Sequence, residues 1–290
     1  MFENVVIFGS EGKFGQVFCH RLAHVAKRTT GVDLTSGADS PTTEFVNFQT
    51  APDVVREIVS RADLIAIMTP EDAAVEIVTT YLPMAPREAV AFDILSVKQP
   101  ITGVAAGAGL TCSYVSVHPM FAPSTDFDGQ NVVITEVCGD SGAEVLEGLF
   151  RQWGARTSRM TADEHDSATS LTQVACHAAL LCFGLVCSRS KLGPETLRKV
   201  ETPVSRVLLG LSARICSGDP RLYQLIQEAN GEGPAIRSLL AQTMASINTG
   251  GQLGGEFVDV FDAVNSWLGE DAQNYVELAA RAVAEDATLD

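Results

Sequence analysis

Residues 4–15 read NVVIFGSEGKFG. Val5, Val6, Ile7 and Phe8 form a short apolar run rich in β-branched residues, as a strand covered on both faces requires. The run ends at Gly9, glycines recur at positions 12 and 15, and a helical pattern follows over 13–27. Strand, glycine turn and helix in this order predict the first βαβ unit of a parallel sheet. The GxxGxxG spacing is a variant of the dinucleotide-binding GxGxxG, with the same physics. Gly9, Gly12 and Gly15 let the backbone turn tightly and approach a pyrophosphate at the positive end of the helix that Lys13 and Phe14 open. A tight strand-to-helix turn without a ligand carries the same glycines, so the context has to decide.

Asp33 is part of that context. It closes the second strand pattern, TTGVDL (29–34), roughly 20 residues beyond the glycines, where an acid hydrogen-bonds an adenosine ribose. Its carboxylate repels a 2′-phosphate, and Leu34, Thr35 and Ser36 offer no arginine for one. The expected cofactor is therefore NAD rather than NADP. Asp33 is equally well placed as a turn residue before Gly37. Thr69, at the end of the third strand pattern, completes the expected cofactor-binding set.

The alternation continues with a helix over 52–61, a strand over 62–69, a helix over 71–82 and a strand over 89–95. A helix over 98–108, strands over 111–117 and 131–137 and a helix over 142–153 follow. Such alternation predicts a mainly parallel sheet with helices on both faces. From about residue 164 the strand signals stop, and helical stretches cover 164–190, 194–217, 220–246 and 254–286. Asp219-Pro220 is a helix start, an N-cap followed by proline at the first helical position. Gly218 and the tract NTGGQLGGE (248–256) are the expected breaks. LTQVACHAALLCFGLVC (171–187) is apolar on nearly every face, as a buried helix should be. The expected fold class is an α/β Rossmann-type nucleotide-binding domain over 1–160, then an all-α helical domain over 161–290.

The bulk numbers narrow the function. The chain has 290 residues, 46% of them hydrophobic, and a net charge of −16. That is enough for a sizeable core, and the charge repels nucleic acid and anionic lipid. Neither is an expected partner. No apolar run of the roughly 18–20 residues needed to span a bilayer is read, so no membrane association is expected. The N-terminus lacks a basic n-region. The seven cysteines include no CxxC pair, which predicts a reduced, cytoplasmic protein without a disulfide framework or a metal site.

One histidine stands out in SVHPMFAP (116–123), between a strand pattern and a proline-bracketed loop. From the residues alone, His118 is either a packed histidine at a strand end or a proton acceptor. The motif is one of an ordered series: GSEGKFG (9–15), DILSVK (93–98), SVHPMFAP, WGAR (153–156), EHD (164–166) with LTQVACHAAL (171–180), TPVSRVLLGLSAR (202–214), GDPRLYQLI (218–226) and WLGEDAQNY (267–275). In order and spacing the series resembles the prephenate dehydrogenase family along nearly the whole chain. The later pieces are similar to the dehydrogenase half of the fused mutase–dehydrogenases of enteric bacteria. Two positions depart from the pattern: Ala122 stands where a glycine usually follows HPMF, and Ser124 where an acid is common.

The resemblance implies a nucleotide-binding domain, a helical substrate-binding and dimerisation domain, and a homodimer. It also implies NAD-dependent oxidative decarboxylation of prephenate to 4-hydroxyphenylpyruvate. His118 would take the proton of the C4 hydroxyl, since an imidazole is mostly neutral at pH 7. Ser96 would orient it, although Ser96 is also placed to cap the helix over 98–108. Arg214 would hold the ring carboxylate, and His177 would face the side-chain carboxylate, although a lone histidine on an apolar helix is more often a core residue. Arg206, eight residues from Arg214, lies roughly 80° around a common helix axis and is assigned a supporting role. Lys98 either attracts anions or is structural, and His165 is a weaker candidate. His20 and His24 belong to surface or packing. The same fold serves 4-amino-4-deoxyprephenate or arogenate, and the amino analogue is the closest rival reading. A non-catalytic NAD-binding sensor is the alternative of a different class, disfavoured by the presence of both His118 and Arg214.

Overall fold

The apolar run of residues 5–8 is the buried end of β1 (Phe2–Phe8) in a computed structural model of the chain, which describes residues 1–37, 42–139, 141–248 and 257–286. Val5 and Ile7 enter the core on one side of the sheet, Val6 and Phe8 the core on the other. This is the period of two that a strand covered on both faces dictates.

The other strands are β2 (Ala26–Asp33), β3 (Glu44–Asn47), β4 (Leu64–Ile67), β5 (Val90–Asp93), β6 (Ser113–Pro119), β7 (Asn131–Cys138) and β8 (Arg156–Arg159). They form one sheet in the order β3-β2-β1-β4-β5-β6-β7-β8. Every pairing is parallel except β6 with β7. The order reverses between β1 and β4, and in doubly wound sheets ligands bind at such a switch point, beyond the carboxyl ends of the strands. The sheet is covered by α1 (Lys13–Ala23), α2 (Pro52–Val59), α3 (Glu71–Thr80), α4 (Gln99–Gly107) and α5 (Gly142–Gln152). Phe18, Phe92, Phe127, Phe150 and Trp153 fill one core, with Phe127 and Trp153 edge to face at 4.9 Å.

Two strands have no counterpart in the sequence reading. β3 (EFVN) and β8 (RTSR) are four residues each and mostly unburied. They lie at the two edges of the sheet, where solvent faces permit polar residues and the apolar signal is lost. The first helix also stops four residues short of the expected 27, because Ala26 already pairs with Phe2.

The described residues divide into two compact units, Met1–Asp166 and Ser167–Asp290. The expected boundary at 160 therefore moves six residues along. His165 and Asp166, at the start of α6 (Ala162–Thr169), are hydrogen-bonded to residues of the first unit.

The second unit holds a turn of π-type hydrogen bonding (Ser170–Ala175), then α7 (Cys176–Arg189), α8 (Pro194–Arg198), α9 (Pro203–Cys216), α10 (Pro220–Ala229), α11 (Gly233–Asn248), α12 (Phe257–Leu268) and α13 (Ala272–Asp286). The Asp219 side chain accepts from the Arg221 N–H and caps α10, with Pro220 at its first position. Thr202 and Ser205 form a reciprocal capping box that opens α9. Most of the glycine tract 248–256 lies outside the described residues. Two expectations are corrected here. No residue of α7 is buried, although its sequence is apolar on nearly every face. The helical stretch Ala162–Arg189 also contains an 18-residue window of mean hydropathy 1.7, long and apolar enough by composition to cross a membrane. Unpartnered apolar helices pass the same test when their cover comes from protein.

Candidate active site

Two glycines of the first loop are forced by geometry. Gly9 has φ +74°, and a Cβ there would lie 2.5 Å from the Met68 carbonyl oxygen. A Cβ on Gly15 would lie 1.9 Å from the Gly9 carbonyl oxygen, so only glycine lets α1 approach β1 this closely. Gly12 is exposed at the cap of α1, and no side chain caps that helix. Its terminal N–H groups are thus available for an anion.

The loop opens onto a cavity of about 830 Å³ lined by Gly9, Glu11, Gly12, Asp33, Leu34 and Thr69 among others. Asp33 stands at the mouth of the loop and at the end of β2. It lines the cavity, and it fixes the turn by accepting the N–H groups of Glu11 at 2.9 Å and Leu34 at 2.7 Å. The buried hydroxyl of Thr69 has no hydrogen-bond partner among the described residues. Such an orphan costs stability unless a ligand or water satisfies it. Apolar walls from Phe48, Ile77 and Tyr81 complete the cavity. A glycine cradle, an acid at the end of β2 and an unsatisfied hydroxyl suit a dinucleotide. Lys13, Phe14 and Gly15 do not line the cavity: Lys13 is exposed, Gly15 makes the close packing, and the Phe14 ring packs against Phe121 at 6.2 Å. Glu11, which the sequence reading passed over, does line it.

Phe121 belongs to the loop that follows His118, so the Phe14–Phe121 contact ties the histidine's loop to the first turn of α1. His118 sits at the carboxyl end of β6 and is 4% exposed. Its Nδ1 lies 2.8 Å from Nε2 of His165, whose own Nδ1 lies 2.7 Å from Oδ1 of Asp166. Burial pushes the His118 pKa well below the ordinary imidazole value, and the nearby Lys98 ammonium pushes the same way. The ring is therefore neutral at pH 7. Burial raises the Asp166 pKa, but hydrogen bonds from His165 and from the N–H groups of Gln99 and Lys98 outweigh it, so the carboxyl lies below its usual range and is ionised.

Asp166 also corrects the reading of the neighbouring turn. Its two oxygens accept the N–H groups of Lys98 and Gln99, both at 2.8 Å, so it supplies the acceptor at the start of α4. The cap position is Lys98, and Ser96 is not the cap. Ser96 stands half-buried in the turn between β5 and α4. Lys98 is fully buried, with Nζ donating to Leu95 O, Ser116 Oγ and Val117 O at 2.7–2.8 Å, and it lies 3.6 Å from Asp93 Oδ1. An ammonium has three protons to donate, and all three are used within the fold, so Lys98 is structural and pairs with Asp93 rather than with a ligand. Asp93 in turn accepts from Tyr114, Ser116 and the Leu95 N–H.

The remaining expected residues lie in the second unit. His177, on α7, packs edge to face with Tyr223 at 5.1 Å, and its Nδ1 is buried without a partner among the described residues. Burial lowers its pKa. Arg214, on α9, is exposed. Arg206 Nε donates to Glu201 Oε1 at 2.8 Å. No cluster of three or more His, Cys, Asp or Glu side chains able to hold a metal occurs among the described residues.

A neutral buried histidine, tied through its loop to a nucleotide cradle, suits proton removal coupled to hydride transfer. That combination puts the chain among the Rossmann-type dinucleotide-dependent dehydrogenases. No family model matches the chain, but individual proteins do. It is 32% identical over 286 residues to 4-amino-4-deoxyprephenate dehydrogenase of Streptomyces pristinaespiralis, covering 97% of this chain and 96% of that one. It is 24% identical over 280 residues to the T-protein of Enterobacter agglomerans, covering 94% and 69%. Among solved structures, prephenate dehydrogenase from A. aeolicus, in complex with hydroxyphenyl propionate and NAD+, matches with a TM-score of 0.68 at 19% identity over 98% of both chains. Synechocystis arogenate dehydrogenase matches with a TM-score of 0.67 at 15% identity, over 94% of this chain and 99% of that one. The chain belongs to the prephenate dehydrogenase family and is an oxidoreductase.

Proposed function

We propose that this enzyme uses NAD to decarboxylate prephenate oxidatively, giving 4-hydroxyphenylpyruvate. The observation that carries the reading is the neutral, buried His118 at the carboxyl end of β6. NAD, when bound in the cavity beyond the glycine loop, supplies the hydride acceptor. His118 takes the proton of the C4 hydroxyl as the C4–H bond breaks. The ring carboxylate then leaves as carbon dioxide, its bonding pair passes into the ring, and the phenolate oxygen takes the proton back from His118. The base is regenerated with no net proton release. A weak base is enough, because loss of hydride from C4 makes the hydroxyl strongly acidic. Ser96 orients the hydroxyl, Arg214 holds the ring carboxylate, and His177, whose Nδ1 lacks a partner among the described residues, faces the second carboxylate.

A second reading has a specific observation behind it: the end-to-end likeness to the Streptomyces pristinaespiralis enzyme favours a 4-amino substituent and 4-aminophenylpyruvate as product. NADH formation by the purified enzyme, with prephenate and its 4-amino analogue in parallel, separates the two. Turnover of neither would overturn both.

We further propose a homodimer formed by the second unit, in a reducing compartment such as the cytoplasm. The seven cysteines are all free thiols, and α7 leaves an apolar surface that a second copy of the chain would cover.

A further inference from the structure

His165, a weaker candidate by sequence, is followed directly by Asp166 in α6. Both are buried, at 1% and 3% exposure, and both sit in one line with His118. With both rings uncharged, the chemistry of that line allows a single assignment of protons; an imidazolium at His165 would instead donate from Nε2 to His118 Nδ1 and reverse the tautomer. Asp166 is ionised and only accepts, so the His165 nitrogen 2.7 Å from it, Nδ1, carries the proton. A neutral imidazole has one N–H, so His165 Nε2 is an acceptor. The nitrogen 2.8 Å from it, His118 Nδ1, must then be the donor. His118 is neutral too, so its Nε2 is left without a proton. In the opposite tautomer two lone pairs would face each other at 2.8 Å in a buried site.

We propose that His165 and Asp166 are positioning residues that lock His118 in the tautomer whose Nε2 can accept the substrate's proton. Asp166 is itself fixed by the N–H groups of Lys98 and Gln99. The start of α4, which follows the Ser96 turn, and the catalytic histidine are therefore aligned by one carboxylate. Lys98 and Asp93, also near this line, are engaged with each other and with β6. When His118 is protonated at Nε2, its Nδ1–H stays bonded to His165, so the imidazolium forms without a change of partner. The inference deepens the proposed reading and rests on it for its catalytic consequence alone.

The tautomer is measurable without substrate. Long-range ¹H–¹⁵N correlation spectra of ¹⁵N-histidine-labelled enzyme at neutral pH, with His118 and His165 assigned from His118→Asn and His165→Gln, should show both rings protonated at Nδ1 with pyridine-like Nε2. A His118 ring protonated at Nε2 would overturn the proposal. Kinetics supply the second arm. His165→Leu removes the acceptor and should lower kcat by roughly 10²-fold or more, while KM and the NAD dissociation constant stay close to wild type. His165→Gln, whose amide oxygen can accept from His118 Nδ1, should recover most of kcat and keep the Nδ1–H signal. A His165→Leu enzyme with wild-type kcat sinks the proposal and leaves the proposed reaction standing. A wild type inactive on both substrates sinks the reaction, and the spectra still decide the tautomer.

Discussion

At the scale of single residues, the site is governed by where protons and charges are allowed to sit. His118→Asn keeps a polar group of similar size and removes the proposed base. It should lower kcat by roughly 10²–10⁴-fold with little change in KM, because proton transfer matters only in the transition state. Near-normal kcat in this variant would make His118 a packing residue. The same burial has a cost in stability. Its folded pKa lies well below the ordinary imidazole value, so below about pH 6.5 the unfolded chain binds a proton that the folded chain does not. Stability then falls as pH falls from about 6.5 toward the folded value. Thermal unfolding should show Tm dropping between neutral pH and pH 5.5, and dropping less in His118→Asn. His177 shifts in the same direction and accounts for the slope left over. Asp33 sets the second residue-level prediction. NADP should be a poor cofactor, and Asp33→Ser should narrow the gap in kcat/KM only in part, because Glu11 adds a second carboxylate to the same cavity. Equal kcat/KM for both cofactors in the wild type would contradict this.

At the scale of elements, two contacts hold the catalytic frame. Gly15 allows α1 to lie against the Gly9 turn, and Gly15→Ala would put a methyl 1.9 Å from a carbonyl oxygen. The helix must shift, so NAD affinity should fall strongly and stability by roughly 1–3 kcal/mol. Unchanged NAD affinity by titration calorimetry would mean that the loop does not position the cofactor. Lys98 ties the turn after β5 to β6 through two hydrogen bonds, to Ser116 and Val117. Lys98→Met leaves Asp93 buried without its counter-charge, which costs roughly 3–5 kcal/mol when one partner of a buried pair is removed. The midpoint of denaturant unfolding should fall accordingly. A variant as stable as wild type would show that Tyr114, Ser116 and the Leu95 N–H suffice to hold the Asp93 charge.

At the scale of the whole molecule, the two units differ in how well a single chain covers them. The sheet unit buries its strands on both faces, whereas α7 buries none of its residues, and Val186, Val200 and Trp267 are 69%, 73% and 78% exposed. A proposed homodimer explains this surface. Light scattering at micromolar concentration should give twice the chain mass, and Val186→Glu should shift the population toward monomer. A wild-type monomer would remove the explanation. The doubly wound order was legible in the sequence, because buried strands must be apolar and glycine has no substitute where φ is positive or a Cβ would clash. Local chemistry thus dictated the glycine loop, the acid at Asp33, the strand that ends in His118 and the change to helices near residue 164. The edge strands β3 and β8 were not legible, since half their environment is solvent. Nor was the role of Asp166. Residues 98, 118 and 165–166 lie far apart in the chain, and only the packing of α6 and α4 beside β6 brings them within hydrogen-bond reach. The tautomer proposed for His118 rests on those contacts and on the charges of the groups that make them. A tautomer depends on what each ring nitrogen faces in space, and sequence spacing does not encode that.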